Sequence, residues 1–106
     1  MGTYLFQAIY TPEGAKGLTR DGGSKRRASV DSAIKGLGGK LECFYYAFGD
    51  VDAIVIAELP DHESATALAL AINQSGGASV KTTVLMTVND VDKAAKKAVK
   101  YTPPGG

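Results

Sequence analysis

A predicted strand in the middle of this chain, Asp52 to Leu59 (DAIVIAEL), is continuously apolar in its central part. Side chains alternate between the two faces of a strand, so Ile54 and Ile56 point opposite to Val55 and Ala57. A sheet built around such a strand needs a cover on both faces, because a large exposed apolar patch is unusual in a monomeric protein. The segment therefore predicts a layered fold in which helices cover one face and something else covers the other.

Three further segments are typical of strands, and glycine groups or helix-capping residues separate them from the segments predicted as helices. The predicted strands are Thr3 to Tyr10, Lys40 to Phe48, Asp52 to Leu59 and Ala78 to Met86. The main predicted helices are Lys25 to Leu37 after a Ser24 cap, a helix capped by Asp61 that runs to Gln74, and a last helix from the Thr87–Asp90 capping box to about Lys100.

This order predicts an α+β, ferredoxin-like βαββαβ domain with an extra C-terminal helix and an antiparallel four-stranded sheet, in one domain spanning 1–106. Right-handed crossovers place both main helices on one face. We call the other face the open face. A second copy, packed sheet against sheet, is its simplest cover, so we expect a homo-oligomer.

Composition excludes several classes of protein. The 106 residues include one Cys and one His, which rules out an internal disulfide and a C-x-x-C zinc site. Twelve Lys and Arg against eleven Asp and Glu give no bulk charge for binding nucleic acid. No stretch is apolar enough to span a membrane, and the unpaired Cys favours a cytoplasmic location. We expect no metal, no cofactor, no nucleic acid and no membrane partner.

Sorting strand residues by size places small ones under the helices and leaves a few polar groups on the open face. A three-residue turn from Gly49 to Val51 aligns Phe44, Tyr46 and Phe48 with Ile54 and Ile56 there, whereas a two-residue turn flips one strand. The candidate pocket residues are Gln7, Tyr46, Asp52, Glu58, Lys81 and Thr83. They form either a pocket inside a dimeric barrel or a buried interface network in which Lys81 pairs with a Glu.

The remaining chemically active side chains give weak signals. His62 is a candidate base at a helix start, although an exposed helix-start residue explains it as well. Cys43 is expected to pack as a small hydrophobic residue. Asp52 is either a cap that binds backbone N–H groups of the turn or a carboxylate at the pocket mouth. The basic run Lys25 to Arg27 is either a solvated face or an anion contact.

Several stretches together resemble the GYD-domain family. They are Tyr4, Tyr10-Thr11-Pro12-Glu13-Gly14, Gly38-Gly39-Lys40-Leu41-Glu42, Phe48-Gly49-Asp50-Val51-Asp52 and Val80-Lys81-Thr82-Thr83. The family is named for a Gly-Tyr-Asp signature in the hairpin; here Gly49 and Asp52 match, and Val51 occupies the tyrosine position. The resemblance implies a ferredoxin-like fold of the dimeric α/β-barrel type and implies no activity.

Three functions stay open at this point. The first is a sheet-to-sheet oligomer whose barrel interior holds a small apolar or aromatic molecule. The second is a cofactor-independent monooxygenase or isomerase that uses Tyr46, Asp52 or His62, by analogy with related barrels. The third is a regulatory ferredoxin-like sensor, which the lack of a long loop between the second and third strands disfavours.

Overall fold

A computed structural model describes residues 1–106 and contains four strands and four helices. In chain order the elements are β1 (Gly2–Tyr10), α1 (Pro12–Asp21), α2 (Gly23–Gly36), β2 (Lys40–Tyr46), β3 (Ala53–Leu59), α3 (His62–Gln74), β4 (Ala78–Leu85) and α4 (Val88–Ala95). The strands form one antiparallel sheet in the order β2-β3-β1-β4. The predicted α+β, ferredoxin-like fold is confirmed.

The helices begin at residues that satisfy free backbone N–H groups. The Thr11 hydroxyl accepts from the Gly14 N–H at 3.1 Å, and the Asp61 carboxylate accepts from the Ser64 N–H at 2.8 Å. Thr87 and Asp90 form the predicted capping box of α4. The predicted Ser24 cap was wrong: α2 begins at Gly23, and Gly22 turns the chain between α1 and α2 with a φ of 85° that favours glycine.

The register of the sheet decides which side chains meet the helices. Tyr4, Phe6, Val55 and Ala57 are buried on the helix side, together with Ile34 from α2 and Ala65 and Leu68 from α3. The opposite, open face carries three cross-strand rows that run from β2 to β4. These rows are Lys40–Glu58–Thr3–Leu85, Cys43–Ile56–Leu5–Thr83 and Tyr45–Ile54–Gln7–Lys81. The predicted faces of β1 and β3 are thus confirmed.

The predicted face of β2 was wrong. Phe44 pairs with Val55 and Tyr46 with Ala53, so both aromatic side chains lie on the helix side. The turn causes this, because Ala47 bonds to Asp52 and the turn is therefore longer than the predicted three residues. One extra residue in the turn reverses the facing of Phe44 and Tyr46, and a bulge at Glu42 reverses it again for Lys40 and Leu41. Phe48 follows the end of β2 and is exposed.

The C-terminal segment stands away from the sheet. Helix α4 ends at Ala95, short of the predicted Lys100, and none of its residues is buried. The radius of gyration is 17.0 Å, whereas a compact domain of this length has about 13 Å. The protruding segment from Val88 onward explains this difference. No helix in the chain has the length and apolar character needed to cross a membrane.

Candidate functional site

The larger of two cavities in the domain is a cleft of about 360 Å³ on the helix side of the sheet. Its floor comes from all four strands, and its walls come from the helices. The apolar lining includes Phe6, Ala8, Val30, Ala33, Phe44, Val55, Leu68, Ala71, Ile72 and Val80. We call this cavity the helix-side cleft.

The cleft exists because small side chains line it and because the helices are anchored at one end. The floor and the facing walls carry short side chains that leave this space unfilled. They are Ala8, Ala53 and Ala78 on the strands and Ala33 and Ala71 on the helices. The only buried residue of α2 is Ile34, near the end of that helix, and α1 buries none. A well-packed interior has few voids larger than a water molecule, so this volume is a distinct feature of the domain.

One rim of the cleft is polar and is formed where α1 meets α2. Arg20, Asp21, Arg26 and Ser29 contribute to it. The Asp21 carboxylate lies 3.2 Å from Arg20 Nε and 3.9 Å from Lys25 Nζ. The hydrogen bond from Arg20 holds the pKa of the Asp21 carboxyl below its ordinary value. Arg26 forms no salt bridge within the chain.

Tyr10 lines the cleft at the end of β1, close to Tyr46 and Arg26. Burial raises the pKa of Tyr10 to about 12; Tyr46 acts in the same direction, and the Arg26 guanidinium acts against it. The hydroxyl of Tyr10 is therefore protonated at neutral pH and can donate a hydrogen bond, but it is a poor general base.

Tyr46 is held by its surroundings on the helix side. Its hydroxyl donates to the Gly23 carbonyl oxygen at 3.0 Å. Its ring stacks on Phe48 with centroids 5.8 Å apart and lies 5.0 Å from Phe44. With Leu18, Gly23 and Phe48 it lines the second, smaller cavity. Tyr46 is therefore on the opposite side of the sheet from four of the predicted pocket residues, which are Gln7, Glu58, Lys81 and Thr83.

Four of the predicted pocket residues share the open face. Gln7 lies opposite Lys81 and Thr83 lies opposite Leu5, while Glu58 is opposite Thr3 and Lys40. None of the four lines a cavity of the single chain. The expected Lys81–Glu pair does not form within one chain.

Asp52 binds a backbone N–H group, as one of its two interpretations predicted, but that group belongs to the end of β1 and not to the turn. Its carboxylate accepts from the Tyr10 N–H at 2.8 Å, and its own N–H donates to the Ala8 carbonyl oxygen at 2.8 Å. These bonds fix the hairpin between β2 and β3 against β1. Asp52 is not among the residues that line the cleft.

His62 lies at the other end of the sheet. Its Nδ1 is 2.8 Å from the Tyr4 hydroxyl, and the two rings meet edge to face. Cys43 is half-buried on the open face, beside Ile56. No group of three His, Cys, Asp or Glu side chains is arranged to hold a metal ion. Tyr46 and Asp52 both lie near Tyr10, and His62 is not brought together with them.

Sequence reasoning did not single out the helix-side cleft. A signal for its α2 wall was present, because Arg26, Ser29, Val30 and Ala33 recur at the spacing of one helix face. The volume of the cleft depends on how far α2 and α3 stand apart, which no local pattern reveals.

Comparison with known proteins gives one match. No curated protein and no solved structure matched the chain. The family model for the GYD domain matches residues 4–95, which include all of the helices and strands except the first two residues of β1. The chain therefore belongs to the GYD domain family.

Proposed function

We propose that this GYD domain binds a small apolar or aromatic molecule in the helix-side cleft, as a homodimer joined through the open faces of its two sheets. The cleft carries the proposal. Fourteen of its 22 lining residues are hydrophobic, and its volume is about 360 Å³. Ligand pockets typically enclose about 300–1,000 Å³ and combine apolar walls with a few polar groups.

The open face supports the dimer. Leu5, Ile54 and Ile56 lie side by side at its centre, and Ile9 and Tyr45 are 42 % and 66 % exposed. Two such faces packed about 10 Å apart would remove this apolar surface from water. Gln7, Glu58, Lys81 and Thr83 would then form the polar network within the interface.

Binding is favoured over the catalytic alternative, a cofactor-independent monooxygenase or isomerase. That alternative relied on Tyr46, Asp52 or His62. The Tyr46 hydroxyl and the Asp52 carboxylate are both engaged by backbone groups, and His62 does not line the cleft. A sensor is less favoured, because only Ala47 to Asp52 connect β2 and β3.

The neutral fluorophore N-phenyl-1-naphthylamine tests the binding proposal, because its emission rises when it enters an apolar site. We expect the wild-type protein to bind it, and we expect Ala33→Phe to abolish binding by filling the cleft. Ala28→Phe is the matched control, since Ala28 is exposed on the same helix but does not line the cleft. The proposal is contradicted if the wild-type protein does not bind the probe. It is also contradicted if both variants keep the fold and lose affinity for the probe equally. Native mass spectrometry of the purified protein reports a co-purified ligand directly.

A further inference from the structure

We infer that the ligand of the helix-side cleft is an organic anion: a small molecule with an apolar or aromatic body and one carboxylate-like group that is bound by Arg26. This inference rests on the proposed function and adds the chemical class of the ligand. It follows from the arrangement of charges around the cleft.

The charged side chains at the cleft are not balanced. Arg20, Asp21 and Arg26 line it, and the single carboxylate already contacts Arg20 and Lys25. Arg26 forms no salt bridge in the chain, and Asp21, the acidic residue that it acts on, is shared with Arg20 and Lys25. No other Asp or Glu lines the cleft. A cationic ligand would therefore meet net positive charge, whereas an anionic one finds an unpaired guanidinium.

The position of Arg26 joins this charge to the apolar wall. Val30 and Ala33 follow Arg26 by four and seven residues on α2, so all three share one face of the helix. The guanidinium therefore lies at the rim directly above the apolar wall. A ligand that places its body between Val30 and Ile72 can present its charged end to Arg26.

Neutral donors reinforce the preference. The Tyr10 hydroxyl keeps its proton through the physiological range, and Ser29 contributes a second hydroxyl to the lining. Both can donate to an anionic oxygen beside Arg26. Hydrogen bonds to charged groups are about twice as strong as neutral ones, and guanidinium groups match the geometry of carboxylates.

Two fluorophores with the same aromatic body separate charge from apolar binding. They are N-phenyl-1-naphthylamine, which is neutral, and 8-anilinonaphthalene-1-sulfonate, which carries a sulfonate. We expect the wild-type protein to bind the sulfonate about threefold to tenfold more tightly. Arg26→Gln should remove this preference by weakening the binding of the sulfonate more than that of the neutral probe. Arg27→Gln is the matched control, because Arg27 is adjacent but does not line the cleft.

The outcomes are distinguishable from failure of the proposed function. If the neutral probe binds and Ala33→Phe abolishes its binding, the cleft is a binding site whatever the second probe does. Equal affinity for the two probes would then overturn the anion inference alone. The anion inference alone would also be overturned if Arg26→Gln and Arg27→Gln reduced the preference for the sulfonate equally, since that would indicate a diffuse surface charge. If Ala33→Phe leaves sulfonate binding intact, the probe binds elsewhere and the inference is wrong.

Discussion

The Asp52 carboxylate accepts a hydrogen bond from the backbone N–H of Tyr10 at 2.8 Å, and this bond ties the β2–β3 hairpin to the end of β1. Asp52→Ala leaves the Tyr10 N–H without its partner. We expect the free energy of unfolding to fall by about 1–3 kcal/mol in urea titration. Asp52→Asn keeps an acceptor oxygen and should cost less than half as much. Asp50→Ala, at an exposed position of the same hairpin, should have no effect.

Helix α1 approaches the turn before β4 so closely that a Cβ on Gly14 would overlap the Gly77 carbonyl oxygen. We expect Gly14→Ala to lower the free energy of unfolding by about 2–3 kcal/mol, because the helix must move away. Gly17→Ala is the control, since the nearest atom to its Cβ, in the Arg20 side chain, would be 3.8 Å away. It should raise stability by about 0.5–1 kcal/mol through helix propensity. If Gly14→Ala and Gly17→Ala changed the stability equally in thermal or urea unfolding, the close approach of α1 to Gly77 would be contradicted.

The raised pKa of Tyr10 makes stability depend on pH in the alkaline range. The pKa is about 12 in the folded chain against an ordinary value of 10.0. Between these values the folded state binds more protons than the unfolded state, so the free energy of unfolding falls as pH rises. The stabilisation is complete below pH 10 and is lost as pH passes through about 12.

Tyr10→Phe tests this dependence. Raising the pH from about 8 to about 11.5 should lower the free energy of unfolding of Tyr10→Phe by about 1 kcal/mol less than that of the wild type. This figure allows for solvent screening of a half-buried group. Tyr101→Phe, at a 74 % exposed position outside the sheet, should behave like the wild type. The tyrosinate absorbance of the wild type minus that of Tyr10→Phe should show one step near pH 12. A step near 10 would refute the shift.

The proposed dimer predicts the effect of a charge at the centre of the open face. Ile56 lies between Leu5 and Cys43 in the sheet, so Ile56→Lys would bury an unpaired ammonium between two sheets. We expect light scattering to give the mass of two chains for the wild type and of one folded chain for Ile56→Lys. Ser32→Lys, at an exposed position of α2, should remain dimeric. A monomeric wild type with native circular dichroism would contradict the dimer.

Much of the fold could be predicted from the sequence because local chemistry determined it. Asp61 and Thr87 cap helices as predicted, and the alternation in β1 and β3 places Tyr4, Phe6 and Val55 under the helices. Phe44 and Tyr46 were misplaced because their facing depends on the length of the hairpin turn. Alternation along a strand does not contain that length.

The candidate site was harder to predict, for a tertiary reason. Gln7, Glu58, Lys81 and Thr83 were grouped correctly by face, but a common face does not make a pocket. The cavity lies on the other side, where Ala8, Ala33 and Ala71 leave space between layers. Alanines at these positions look like ordinary packing residues until the separation of α2 and α3 is known.

The buried contacts that hold the helices on the sheet are distributed unevenly. Its buried side chains are Ile34 near the end of α2 and Ala65 and Leu68 in the first half of α3, and α1 contributes none. Segments with few buried contacts open at a small free-energy cost while the rest of the domain stays folded. Amide hydrogen exchange should therefore be fast in α1 and slow progressively along α2 towards Ile34. On the proposed function, a ligand would enter the cleft at this end, where the helices are held by few buried contacts, and the hydrogen bonds of the sheet would stay intact.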